Sequence, residues 1–76
     1  MKNTTELTRR EKDTLEAITL FLNQNQYPPS IKEIAAMIDV SSTSTVSRFL
    51  VSLEHKGYIE RVGSKSRSMR VLQHAS

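Results

Sequence analysis

The chain contains no cysteine, which excludes disulfides and thiolate metal ligands. A small secreted domain ordinarily needs such a staple, so the expected compartment is the cytoplasm. Long hydrophobic runs are missing too. The longest, Ile34 to Ile38, falls far short of the ~20 apolar residues that cross a bilayer. The opening Met1-Lys2-Asn3-Thr4-Thr5-Glu6 has no signal-peptide core. Glycine and proline number only two each, too few for a fibrous chain or a flexible linker. His55 and His74 stand alone, and neither a glycine-rich phosphate loop nor a spaced carboxylate pair occurs. No metal site, cofactor or enzymatic activity is therefore expected.

What is present is a single short domain. Of its 76 residues 37% are hydrophobic, and a chain of that length buries only roughly 60 to 65% of the surface its unfolded form exposes. The core must be thin. The formal net charge of +3 is unevenly placed. Up to Val40 there are five Lys/Arg against six Asp/Glu, and after it six against two. A basic C-terminal half suits a polyanionic partner, although a solvated basic surface gives the same count.

Thr8-Arg9-Arg10-Glu11 has the spacing of a capping box, in which a hydroxyl and a carboxylate three residues on satisfy orphan amides at a helix start. A helix is predicted from there to about Gln24. Leu15, Ile18, Phe21 and Leu22 form its apolar stripe, with Glu11, Lys12, Asp13, Glu16 and Asn23 off it. Tyr27-Pro28-Pro29 is a stiff connector. Ser30-Ile31-Lys32-Glu33 repeats the capping box and opens a helix of about two turns, buried through Ile31, Ile34, Ala35 and Ile38. The hydroxyl-rich Val40-Ser41-Ser42-Thr43-Ser44-Thr45 suits a turn and an N-cap. A third helix follows, with Val46, Phe49, Leu50 and Leu53 inward and Ser44, Arg48, Val51 and His55 outward. Gly57 is placed to end it with a left-handed cap.

Tyr58 to Val62 and Met69 to Leu72 read as strands around the loop Gly63-Ser64-Lys65-Ser66-Arg67-Ser68. The predicted fold is mainly α, a three-helix winged helix-turn-helix with a C-terminal two-stranded hairpin as the wing. Residues 1–72 form the DNA-binding domain and 73–76 a flexible tail or linker stub.

In such a fold the third helix enters the major groove, so its outward side must be compact and polar. Ser44, Thr45, Ser47 and Arg48 satisfy this, and Arg48 can donate two bonds to guanine. Capping alone accounts equally well for Ser42 and Thr43. Lys65 and Arg67, set among Ser64 and Ser66, let the wing approach a sugar-phosphate chain, though basic hairpin tips also serve solubility.

Tyr-Pro-Pro-Ser-Ile-Lys-Glu-Ile-Ala at 27–35, Ser-Ser-Thr-Ser-Thr-Val at 41–46 and Leu-Glu-His-Lys-Gly-Tyr-Ile-Glu-Arg at 53–61 resemble the DNA-binding domain of the LexA repressor family, in its Gram-positive form. The resemblance spans about Leu7 to Leu72. It implies sequence-specific repression of SOS-type or phage genes, with Ser42, Ser44, Thr45, Ser47 and Arg48 reading bases. It also implies phosphate contacts by Arg10 and Lys56 and wing contacts by Lys65 and Arg67. Asp39 stands where the family usually has glycine, and Ser47-Arg48-Phe49 departs from the common residues, so a different operator is expected. The serine-lysine self-cleaving domain of complete LexA has no counterpart here. No alanine precedes a glycine, and Ser64-Lys65 falls in the wing.

The expected partner is a palindromic double-stranded DNA operator bound by two copies, with the protein nucleoid-associated when bound. The alternative is a winged-helix interaction module that docks on a host repressor or polymerase through Val51, Phe49 or the wing.

Overall fold

Both capping boxes form. In the computed structural model, which describes residues 7–61 and 69–72, the Thr8 hydroxyl accepts from the Glu11 amide at 3.2 Å and Glu11 Oε1 accepts from the Thr8 amide at 3.0 Å. This starts α1, Arg9–Asn25. Ser30 and Glu33 make the same exchange at 3.2 and 2.8 Å and start α2, Ile31–Met37. Helix α3, Thr43–His55, begins with the Ser42 hydroxyl accepting from the Thr45 amide at 3.4 Å. A cap of this kind contributes about 1 kcal/mol.

The helices end by one device. Gln26, Asp39 and Gly57 all take positive φ, at 67°, 60° and 84°. After α3 the Tyr58 amide donates to Leu53 O and the Gly57 amide to Glu54 O, the pair of bonds of a Schellman ending around a left-handed glycine. After α2 the Val40 amide donates to Ala35 O at 2.9 Å, with Asp39 in the left-handed position. Aspartate tolerates that region better than most residues with a Cβ, yet still less readily than glycine. Between α1 and α2 the rings of Phe21 and Tyr27 meet edge to face at 5.5 Å, which ties the proline connector to α1.

Strands β1, Ile59–Arg61, and β2, Met69–Val71, pair antiparallel with Ile59 opposite Val71 and Glu60 opposite Arg70. The chain therefore runs three helices and then a hairpin, the winged helix-turn-helix expected from the sequence. Residues 62–68, with the expected wing contacts Ser64, Lys65, Ser66 and Arg67, and the tail 73–76 lie outside the described residues.

The core is one cluster centred on Leu15, Ile18, Ile34, Val46, Leu50, Leu53 and Ile59. Each of these side chains is fully buried, and burial of one contributes roughly 1.5 to 3 kcal/mol. Phe49 and Leu22 pack only partly against the cluster. Among the described residues no helix is long and apolar enough to cross a membrane.

Candidate nucleic-acid interface

Helix α3 is held by its Val46-Leu50-Leu53 face, which fixes what the other side presents. Ser44, Arg48, Val51 and His55 are all exposed and fall within a narrow sector of the helix at 100° per residue. They make one straight stripe along α3. Thr45 and Ser47 flank it, half-buried, and Ser42 sits exposed at its head as the N-cap. The sequence-predicted reading residues are thus brought together on one side of one helix. Among the described residues no hydrogen bond or ion pair engages the side chains of Ser44, Ser47 or Arg48.

Two open grooves border the stripe. One, of about 400 Å³, lies between the starts of α2 and α3 and is lined by Ile31, Lys32, Thr43, Ser44 and Ser47. The other, about 500 Å³, runs beside the later turns of α3 and is lined by Ser47, Arg48, Val51, Ser52 and His55. Lys32 escaped sequence reasoning as a site residue. It had a readable signal, because a cation in the first turn of a helix opposes the macrodipole and calls for another reason to be there. Arg9 and Arg10 stand in the same position on α1 and are exposed, like Lys32.

The two residues expected to touch phosphates have internal partners. Arg10 Nη1 donates to Ile38 O at 3.1 Å, closing α1 onto the end of α2, while the guanidinium, itself exposed, keeps further donors. Lys56 is turned inward. Its Nζ lies 2.6 Å from Glu11 Oε1, with only 19% of its side chain exposed.

Glu11 is the unexpected residue of this region. Expected off the apolar stripe of α1, at 100° per residue it falls within about 40° of Leu15, Ile18 and Leu22, and it is buried with Leu15 and Ile18, at 7% exposure. Besides its capping bond to Thr8, its carboxylate accepts from Ser52 Oγ and Lys56 Nζ of the α3 end. Burial pushes the carboxyl pKa up. Hydrogen bonds from Lys56, Ser52 and the Thr8 amide, with the Lys56 charge, outweigh it and lower the value from 4.5 to about 2. Glu11 is therefore a permanent anion at neutral pH that locks the start of α1 to the end of α3. The contacts join residues 41 and 45 positions apart, so no local pattern announces them.

Glu60 and Arg70 face each other across the hairpin at 3.8 Å, both side chains more than half exposed, an arrangement worth little in water. Among the described residues no group of three or more His, Asp or Glu side chains could hold a metal ion.

Known proteins place this arrangement. A family model for the LexA DNA binding domain matches residues 4–68. The LexA repressor of Pelotomaculum thermopropionicum is 44% identical over 69 residues, which cover 91% of this chain and 34% of that protein. The LexA repressor of Bacillus mycoides is 42% identical over 66 residues, 87% of this chain and 32% of that protein. The chain spans about a third of the length of the curated relatives it matches. With the fold, the spacing of its motifs and the family match in agreement, the chain belongs to the LexA DNA-binding domain family.

Proposed function

We propose that the chain binds double-stranded DNA with α3 in the major groove and represses transcription, as a LexA-type regulator, at a palindromic operator occupied by two copies. The observation that carries this reading is the outer stripe of α3. A helix gripped by its opposite face offers hydroxyls and a guanidinium that have no internal partner among the described residues, at a width the ~12 Å major groove accepts. The function is binding rather than catalysis, and it belongs to the cytoplasm, on the nucleoid.

In this reading Ser42, Ser44, Thr45, Ser47 and Arg48 meet base edges, with Arg48 the main source of discrimination. Arg10 and Lys32 reach phosphates beside the starts of α1 and α2, and Lys65 with Arg67 reaches them from the wing. Lys56 contributes less, since its charge is already compensated by Glu11. Each neutralised phosphate releases counterions, so affinity falls steeply with salt.

The test is binding of the 76-residue chain to palindromic and random duplexes at several salt concentrations. A negative slope of log affinity on log salt, together with preference for one palindrome, is the expected result. A flat response, or equal affinity for random DNA, overturns the proposal. Docking on a host repressor or polymerase is the competing reading, and it draws on Val51, which is 57% exposed.

A further inference from the structure

We propose that Val51 is a specificity-determining residue that reads the 5-methyl group of a thymine in the operator half-site. The inference rests on the DNA-binding reading above and adds to it a base position and a chemistry. Val51 is the only apolar residue in the outer stripe, 57% exposed between Arg48 and His55. Its γ-methyls border the groove of about 500 Å³ shared with Ser47, Arg48, Ser52 and His55.

The neighbours decide what fits there. The Arg48 guanidinium precedes Val51 on the same stripe and the polar His55 follows it, neighbours that suit base edges and phosphates rather than an apolar protein surface. A stable protein interface takes about 800 Å² from each partner, and one valine among hydroxyls and a guanidinium supplies a small part of that. On the major-groove floor the single apolar feature among the base edges is the thymine methyl, the natural contact of an aliphatic side chain. Val51 lies seven residues beyond Ser44, about 10 Å along the helix axis at 1.5 Å per residue. That distance separates the base pair Val51 meets from the one Ser44 meets. The pair at Val51 would be A·T, and Val51 would mark which strand carries the thymine.

The experiment first selects a preferred half-site from random duplexes with the whole chain, then replaces each thymine in turn by deoxyuridine, which deletes only the methyl. One replacement is expected to weaken binding about four-fold, the worth of one buried carbon, while the others leave it unchanged. In Val51→Ala the same replacement should have no effect, and in Val51→Thr, which keeps one γ-methyl, an intermediate one. Because the side chain is exposed, thermal melting of both variants should match the parent. If a half-site is selected but no deoxyuridine duplex differs, or the penalty is unchanged in Val51→Ala, the Val51 assignment is overturned and DNA reading stands. If no sequence is selected at all, the DNA-reading proposal falls and this one with it.

Discussion

Along the edge of α3 that faces α1, Ser52 and Lys56 are bound to the buried carboxylate of Glu11. Along the outer edge, the side chains of Ser44 and Arg48 meet no partner among the described residues. Both edges are polar, yet their roles divide. The inner edge spends its donors on holding the domain together, and the outer edge keeps its donors for a ligand. Changes on the inner edge should therefore move stability and leave sequence preference alone, and changes on the outer edge should do the reverse.

The largest effect belongs to Glu11. Removing it in Glu11→Ala deletes one half of the capping box and leaves the Lys56 ammonium half-buried without its counter-charge. A cost of about 3 kcal/mol is expected from breaking such a pair, out of roughly 4 to 11 kcal/mol for a domain of this length. Urea unfolding measures it, and a loss below about 1 kcal/mol would show that the lock contributes no more than its cap. The same group sets the acid limb. Its folded pKa, about 2, lies below its ordinary 4.5, so protonation favours the unfolded chain. The contribution, about 3 kcal/mol from that shift, is fully present above pH 4.5 and is lost as the pH falls toward 2. In Glu11→Gln the midpoint of unfolding should lose this dependence between pH 4.5 and 2.

A crossed pair of variants separates the two edges next. Arg48→Ala should cost about 1 to 3 kcal/mol of discrimination at one base pair while moving stability by less than about 0.5 kcal/mol, as for an exposed surface residue. Lys56→Met should cost about 1.5 to 3 kcal/mol of stability, the scale of a hydrogen bond to a charged group, and leave the salt slope of DNA binding nearly unchanged. Anisotropy titrations and thermal melts on both variants check this. A salt slope that drops by about one phosphate in Lys56→Met would return Lys56 to the outer surface and erase the distinction.

The outer edge was legible in the sequence because it follows from local rules. The 3.6-residue period places Ser44, Arg48, Val51 and His55 together, and the hydroxyls of Thr8 and Ser30 with Glu11 and Glu33 three residues on mark two helix starts. Gly57 announces its own left-handed turn. The inner edge was not legible. Glu11 satisfies a local rule completely, as the carboxylate of a capping box, and its helical phase with Leu15 and Ile18 places it on the buried face, but nothing in its neighbours shows that it receives Ser52 and Lys56 there. A residue that serves two purposes discloses only the nearer one. Helix α1 likewise runs through Asn25 to a left-handed Gln26, slightly past its expected end, because no glycine or proline marks the stop at that point.

Asp39 gives the smallest of these effects and the closest internal control. It occupies the left-handed position after α2 that Gly57 occupies after α3, with φ 60° against 84°. The bond from the following amide back to the helix is 2.9 Å in both places. The two turns thus share this closing bond, although the Gly57 amide also donates to Glu54 O, and only Asp39 carries a Cβ that crowds the turn and a negative charge beside the unfavourable end of a helix dipole. Relief of both in Asp39→Gly should outweigh the added freedom of glycine in the unfolded chain and stabilise the domain by about 0.5 to 1 kcal/mol. That is a rise in melting temperature of roughly 2 to 8 °C for a domain of this size. The residue lies off the outer stripe, lining a groove with Asp13, Glu16, Leu20 and Met37 between α1 and α2, so the selected half-site should be unchanged. That assigns the operator difference expected from the sequence to Ser47, Arg48 and Phe49 rather than to Asp39. An altered base preference in Asp39→Gly would mean that the turn sets how α3 is presented, and that stability and recognition are not divided between the two edges of the helix.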